Sequence, residues 1–315
     1  MEVVRDPAQF PALGNATVTT GTFDGVHVGH QQILRRLREV ARQSGGPAVV
    51  ITYWPHPRLV LGPPLTHPEW LDLRLLNTLD ERIDKLQEFG VDYLLIIPFT
   101  REFAALTSEE YIQNILLRTV GTRKLVIGYD HRFGRNREGG FEYLSQHAGR
   151  YGLTVEEIPR EDVDAVGVSS TRIRQALLAG DVATANRYLG YHYPLTGRVV
   201  KGQQLGRTIG YPTANLALLE PLKLVPARGI YAVWARTAAG TRHQAMLSIG
   251  VRPTIGEDLT QTIEVNLLDF SGDLYDQELT LEFVVWLRAE AKYDGLEALT
   301  AQLARDEQDT RTALN

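Results

Sequence analysis

Two histidines three residues apart, His27 and His30, lie in the glycine-rich segment Gly21-Thr22-Phe23-Asp24-Gly25-Val26-His27-Val28-Gly29-His30. Imidazoles flanking a glycine, where backbone can approach closely, can donate hydrogen bonds to phosphate oxygens as charge develops in phosphoryl or nucleotidyl transfer. No covalent intermediate is required, which suits a chain containing no cysteine. A bare pair of histidines is as readily a core or surface feature. A zinc-protease pair is excluded because no Glu stands between helix histidines at the needed spacing, and neither G-x-x-x-x-G-K-[ST] nor G-x-G-x-x-G occurs. Two further segments strengthen the phosphate reading. Gly128-Tyr129-Asp130-His131-Arg132-Phe133-Gly134-Arg135-Asn136-Arg137 places three arginines beside glycines, and Ser169-Ser170-Thr171-Arg172-Ile173-Arg174 puts hydroxyls at a helix start. Each alone is a solvated loop or a well-capped helix; together they point to a nucleoside triphosphate site.

A second constellation lies in the other half. Gly197-Arg198-Val199-Val200-Lys201-Gly202 leads into Gly206-Arg207-Thr208-Ile209-Gly210-Tyr211-Pro212-Thr213-Ala214-Asn215. Glycines around a basic residue let backbone wrap a phosphate. Thr213 and Asn215 offer a hydroxyl and an amide oxygen, hard ligands suited to Mg2+ shared with phosphate. In isolation Pro-Thr-Ala-Asn reads simply as a β-turn.

The elements that must position these residues change character along the chain. Val18–Thr20, Pro47–Tyr53, Val91–Ile97 and Lys124–Ile127 read as strands separated by helices. The helix from about His30 to Arg42 carries Ile33, Leu34, Leu37, Val40 and Ala41 on one face. Thr78-Leu79-Asp80-Glu81 is a capping-box start, and Thr107-Ser108-Glu109-Glu110 opens a further helix. Continuous apolar strands alternating with helices imply a parallel sheet covered on both faces, with ligands outside the carboxyl ends of its strands. Beyond Gly190 the strand-like runs Leu195–Val200, Ile230–Thr237, Ala245–Ile249, Thr262–Leu268 and Leu279–Val285 predict antiparallel β, as a barrel or a sandwich. Helices Ser170–Leu178 and Asp181–Leu189, with Gly180 and Gly190 as stops, join the halves. The domain boundary is placed near residue 185, and a final helix is expected to bury Leu296, Leu299, Leu303 and Ala304.

Composition bounds the function. The 315 residues carry 33 basic and 38 acidic side chains, a net charge of −5, which disfavours broad nucleic-acid binding. The absence of cysteine excludes disulfides, thiolate metal sites and cysteine nucleophiles, and fits a reducing cytoplasm. No apolar run approaches the ~20 residues of a membrane helix; the strongest, Tyr93–Phe99, contains Pro98.

G-x-F-D-G-V-H-x-G-H with S-S-T-x-I-R resembles the FMN adenylyltransferase module of bacterial bifunctional riboflavin kinase/FAD synthetases, and G-R-x-x-G-[FY]-P-T-A-N resembles their kinase module, in the family's order. Gly229-Ile230-Tyr231-Ala232, Ile249–Thr254 and Thr262–Phe270 fit as well. The resemblance implies an N-terminal Rossmann-like nucleotidyltransferase domain (1–185) and a C-terminal antiparallel β-barrel riboflavin kinase domain with a terminal helix (186–315). It implies that His27, His30 and Arg174 stabilise adenylyl transfer, and that Gly21, Thr22, Phe23, Asp24, Gly25, Gly29, Asp130, Phe133, Ser170 and Thr171 surround that ATP. In the barrel, Gly206, Arg207, Gly210, Pro212, Thr213 and Asn215 would meet ATP, Thr213 and Asn215 would hold Mg2+, and Glu264 would be the general base. Pro55-His56-Pro57 and Arg288 would lie near flavin. By the residues alone, Pro-His-Pro is equally a rigid turn, and a lone strand Glu faces solvent. Asn266, Ser248 and His131 depart from the His, Asn and Phe common at their positions. Riboflavin, FMN and ATP are the expected partners, with no nucleic acid and no membrane; a homo-oligomer is allowed. The competing readings are a flavin- or nucleotide-binding regulator that consumes no ATP, and a synthetase-like enzyme acting on tRNA, which the missing KMSKS-type loop disfavours.

Overall fold

The computed structural model describes residues 1–62, 74–159, 167–202, 205–253 and 259–315. Among the motif residues above, Thr254 lies outside these. The chain divides into two compact units, Met1–Ser170 and Thr171–Asn315.

The first unit runs β1 (Glu2–Val4), β2 (Ala16–Thr20), α1 (Val28–Ser44), β3 (Ala48–Trp54), α2 (Pro57–Leu61), α3 (Leu79–Glu88), β4 (Tyr93–Pro98), α4 (Arg101–Ala104), α5 (Ser108–Tyr111, continuing as a π-helical stretch over Ile112–Val120), β5 (Thr122–Gly128), α6 (Phe141–Tyr151) and β6 (Thr154–Ile158). Every strand pair is parallel, in the order β1-β4-β3-β2-β5-β6. Successive residues of β3 feed opposite faces: Val49, Ile51 and Tyr53 join one apolar cluster, and Ala48 and Val50 the other. Helices therefore cover both sides, as continuous apolar strands require. The expected stripe of α1 is buried from Ile33 to Ala41. The expected capping box forms, the Glu81 amide donating to Thr78 Oγ1 at 3.1 Å, and a second starts α5, the Glu110 amide donating to Thr107 Oγ1 at 3.2 Å. β2 has β3 on one side and β5 on the other, so the strand order reverses beside it, and the loop leaving β2 opens at the switch point.

α7 (Ser170–Leu178) begins at the boundary between the units, and α8 (Val182–Leu189) follows within the second. Gly180 and Gly190 adopt left-handed φ of 79° and 76°, where glycine carries no Cβ penalty. Residue 185, the expected domain boundary, falls within α8. There follow β7 (Pro194–Val200), α9 (Leu205–Thr208), β8 (Ala214–Leu218), β9 (Gly229–Thr237), β10 (Arg242–Pro253), β11 (Leu259–Leu267), β12 (Glu278–Arg288) and α10 (Leu296–Leu314). The strands close as an antiparallel barrel, β10-β11-β8-β7-β12-β9, which decides barrel over sandwich. The buried face of α10 differs from expectation. Leu296 is 68 % exposed and Ala304 is exposed, whereas Asp306, Thr310 and Leu314 are buried. The reason is electrostatic: Asp306 receives the Arg288 guanidinium, so a polar residue anchors the helix where hydrophobic periodicity points elsewhere.

Candidate active sites

In the first unit the loop from Gly21 to His27 is wound tightly. Phe23 and Val26 hold φ of 48° and 34°, and Gly25 holds 86°. Left-handed φ at a β-branched valine costs on the order of 1–3 kcal/mol, strain that concentrates at functional sites. The surroundings enforce it. The Gly21 amide donates to Ile51 O at 3.0 Å, Thr52 Oγ1 donates to Thr22 O at 3.3 Å, and Gln31 Nε2 donates to Val26 O at 2.9 Å. The buried Asp24 carboxylate accepts the amides of Leu76 (3.1 Å) and Asn77 (3.2 Å) on one oxygen. Asp24 thus ties the loop to the segment that leads into α3.

His27 caps α1. Its Nδ1 accepts the His30 amide at 3.3 Å, so the neutral ring carries its proton on Nε2. The two rings stack with centroids 3.7 Å apart and planes 14° apart, and Phe23 leans on His30 at 5.1 Å. Gly29 lies between them in the first turn of the helix, whose dipole favours anions. Burial, then the charges of His27 and Arg82, depress the His30 pKa well below the usual histidine value. Two stacked imidazoles, a helix start and a strand-end loop make a site adapted to receive negative charge.

The other expected residues follow strand ends or open α7, whose Thr171 and Arg174 belong to the second unit. Ser170 Oγ donates to Asp24 O at 2.9 Å, joining the start of α7 to the loop. Thr171 is exposed and Arg174 buried on that helix. Asp130 and Phe133 follow β5. Phe133 is buried, pairs with Gly139 through both backbone bonds, and packs on Tyr111 at 5.2 Å. His131 stacks on Phe133 at 5.8 Å, and burial, then Arg137 and Arg132, lower its pKa to about 4. Pro55-His56-Pro57 follows β3. The Trp54–Pro55 peptide is cis, and His56 Nδ1 accepts the Arg58 amide at 3.2 Å to cap α2. The turn therefore has a structural task whatever else it does.

Sequence reasoning missed two features here. Thr20 Oγ1, Tyr53 Oη and Tyr111 Oη form a closed buried ring of hydroxyls at 2.7, 2.9 and 3.0 Å. Arg82 is wholly buried on α3 beside Thr52 and Trp54. The available signal was a charged residue one helical turn before Leu86, on the same buried stripe.

In the barrel the register of β8 against β11 sets Asn215 opposite Glu264, and β10 sets Ser248 opposite it on the other side. Thr213 Oγ1 donates to Glu264 Oε2 at 3.4 Å. Thr213, Asn215 and Glu264 are thus brought together. The Asn215 amide crowds Gly202, where an added Cβ would lie 2.2 Å from Nδ2. The Gly206–Asn215 connection is also built on close approach. A Cβ on Gly206 would meet Tyr211 O at 2.1 Å, and Gly210 has φ of 85°. Asn266, where histidine is common, donates its amide to Pro212 O at 2.7 Å and holds the turn before Thr213. A cavity of about 370 Å³ opens beside Thr213, lined among others by Val199, Arg207, Pro212, Phe270 and Tyr275. Arg288 forks onto the buried Asp306 at 2.8 and 2.6 Å, so its guanidinium is committed to α10. Hydroxyl, amide and carboxylate oxygens converge without a cluster of three or more acidic or imidazole side chains among the described residues, a donor set that suits Mg2+ carried with phosphates.

Comparison with known proteins agrees with this division. The family model described as FAD synthetase matches residues 10–172, and that described as riboflavin kinase matches residues 189–314. Proteins named bifunctional riboflavin kinase/FMN adenylyltransferase are similar over nearly the whole chain. That of Pseudomonas fluorescens is 40% identical, covering 94% of this chain and 92% of its own. That of Listeria monocytogenes is 36% identical with the same coverage, and that of Escherichia coli K12 is 36% identical over 98% and 95%. A crystal structure named as a macrolide-efflux protein from Streptococcus pneumoniae superposes with a TM-score of 0.86 at 33% identity, covering 98% of both chains. No helix among the described residues is long and apolar enough to cross a membrane. Two family models that together span the chain, and relatives this similar over their full length, make the chain a member of the bifunctional riboflavin kinase/FMN adenylyltransferase family.

Proposed function

We infer that the chain makes flavin cofactors in two steps, phosphorylating riboflavin with ATP to give FMN and ADP, then adenylating FMN with a second ATP to give FAD and pyrophosphate. The observation that carries this reading is the presence of two separate constellations, one at a parallel-sheet switch point and one in a closed barrel, each, Arg174 apart, within the span matched by one of the two family models. The division of labour follows as residues 1–185 for adenylation and 186–315 for the kinase.

In the kinase, Glu264 accepts the proton of the riboflavin 5′-hydroxyl as its oxygen attacks the γ-phosphorus. Thr213, within reach of Glu264, keeps the carboxylate aimed. Thr213 and Asn215 would hold Mg2+, which supplies charge neutralisation on the phosphates when bound. Gly206, Arg207, Gly210 and Pro212 shape the nucleotide's path, and the cavity lined by Val199, Phe270 and Tyr275 suits a flat base. Arg288, held by Asp306 of α10, lies near the flavin.

In adenylyl transfer an FMN phosphate oxygen attacks the α-phosphorus of ATP and pyrophosphate leaves. His27 and His30 donate to the phosphates, and Gly21, Thr22, Phe23, Gly25 and Gly29 bring backbone close. Asp24 holds the loop, and Ser170, Thr171 and Arg174 grip the triphosphate. Asp130 and Phe133 lie by the nucleotide, and the Pro55-His56-Pro57 turn borders the flavin side. A cysteine-free enzyme of this kind belongs in the cytoplasm, where ATP and flavin are available.

Incubation with riboflavin, ATP and Mg2+, with flavins resolved by chromatography, tests the whole. Successive appearance of FMN and FAD is expected. An arrest at FMN would remove the adenylyltransferase assignment, and FAD formed only from added FMN would remove the kinase assignment.

A further inference from the structure

Arg82 is 0 % exposed, yet it is poorly satisfied. Its Nη1 reaches Thr52 Oγ1 at 3.4 Å and Tyr53 O at 3.5 Å, both at the outer limit of a hydrogen bond. Among the described residues, its Nε and Nη2 have no hydrogen-bond partner. The guanidinium lies 5.7 Å from the Trp54 ring. Asp24, the acidic group that acts on it, has its oxygens engaged with the Leu76 and Asn77 amides. A buried cation without a close counter-ion is costly, and an apolar side chain of similar size is commonly as stable or more so. Packing therefore gives no reason for arginine here. The groups around it do: Thr52, Tyr53 and Trp54 end β3, Asp24 belongs to the wound loop, and His30 feels its charge.

We propose that Arg82 is a positioning residue of adenylyl transfer, a fixed buried cation whose missing counter-charge is supplied, across Asp24 and His30, by the polyphosphate of the bound nucleotide. This rests on reading the loop as the adenylyl-transfer site. Arg82 does not touch the nucleotide; it acts through the loop. Burial, His27 on the same loop and Arg82 on α3 together hold the His30 imidazole neutral. Incoming phosphate offsets the charge of Arg82. His30 then takes up a proton and donates from both ring nitrogens, including an Nδ1 that has no hydrogen-bond partner among the described residues.

The test uses the full chain with R82M and R82K. Adenylation of FMN at varied ATP should fall at least tenfold in kcat/KM in R82M, with most of it restored in R82K. The nucleotide-free His30 titration, followed by NMR and assigned with H30A, should move upward in R82M and much less in R82K. The unfolding temperature of R82M should equal or exceed that of the parent. Adenylation by R82M within threefold of the parent would overturn the proposal. So would equal losses in R82M and R82K with a lowered unfolding temperature and an unmoved His30 titration, the pattern of a purely structural residue. Should R82M fail to fold, calorimetry of ATP binding to the unaltered protein in buffers of different ionisation enthalpy decides: proton uptake near neutral pH supports the proposal, and none overturns it. If the unaltered protein did not adenylate FMN, the functional reading would fall, while the His30 shift in R82M would still be read separately.

Discussion

Asp24 offers a prediction whose size follows from its bonds. The Leu76 amide at 3.1 Å and the Asn77 amide at 3.2 Å share its Oδ1, and the Leu76 amide also approaches the second oxygen at 3.4 Å. Asp24→Ala leaves both buried amides without this acceptor, at about 1–3 kcal/mol each, or about 2–6 kcal/mol together. For a unit of this size each kcal/mol lowers the midpoint by about 2–4 °C, so a drop on the order of 5–20 °C is expected. Asp24→Asn keeps a carbonyl oxygen where Oδ1 stands, so it should retain most of the stability that these two amide bonds carry. The assay is thermal inactivation of FMN adenylation, with riboflavin kinase activity followed in the same sample as the control for the second unit. Adenylation in Asp24→Ala should fail at lower temperature, kinase inactivation should not move, and Asp24→Asn should lie near the parent. Equal damage by alanine and asparagine would refute the reasoning, because charge and not the acceptor oxygen would then hold the loop.

Four further outcomes follow. Glu264→Gln should reduce kinase turnover by roughly 10²–10⁴, a typical general-base contribution, while adenylation of supplied FMN persists; loss of both activities in a folded protein would end the two-site scheme. Removal of the Asn266 amide by Asn266→Ala frees the Pro212 carbonyl that it binds at 2.7 Å and should cost the kinase about tenfold in kcat/KM, on the order of 1–1.5 kcal/mol, read in steady-state kinetics. Arg288→Leu strands the buried Asp306 carboxylate and should destabilise the second unit by about 3–5 kcal/mol in urea unfolding, whereas Arg288→Leu with Asp306→Leu should recover most of it. His131 is held neutral with a folded pKa of about 4, below its unfolded value, so its contribution is full above about pH 6.5 and declines as pH falls. That decline amounts to about 2 kcal/mol at pH 5, and in acid unfolding His131→Phe should remove it.

What the sequence discloses and what it conceals divide by the range of the interaction. The wound loop, the two capping boxes and the stripe of α1 are written in neighbouring residues, and each forms as its local pattern requires. Antiparallel strands beyond Gly190 were legible, but their closure was not, because closure depends on β8 pairing with both β7 and β11, and β8 is a short strand hidden behind the Pro-Thr-Ala-Asn turn. The same limit hides the chemistry that matters most. Arg82 looks like an ordinary helix cation until β3 and the Asp24 loop close over it, and Asn266 looks like a lapse from histidine until its amide meets Pro212. Arg288 shows no partner in the sequence until α10 brings Asp306 to it, 18 positions later. In each case a polar side chain acquires its task from a partner that only the fold supplies. The motifs therefore mark the two proposed sites, while the partners of Arg82, Asn266 and Arg288 come from elements that local pattern does not connect to them.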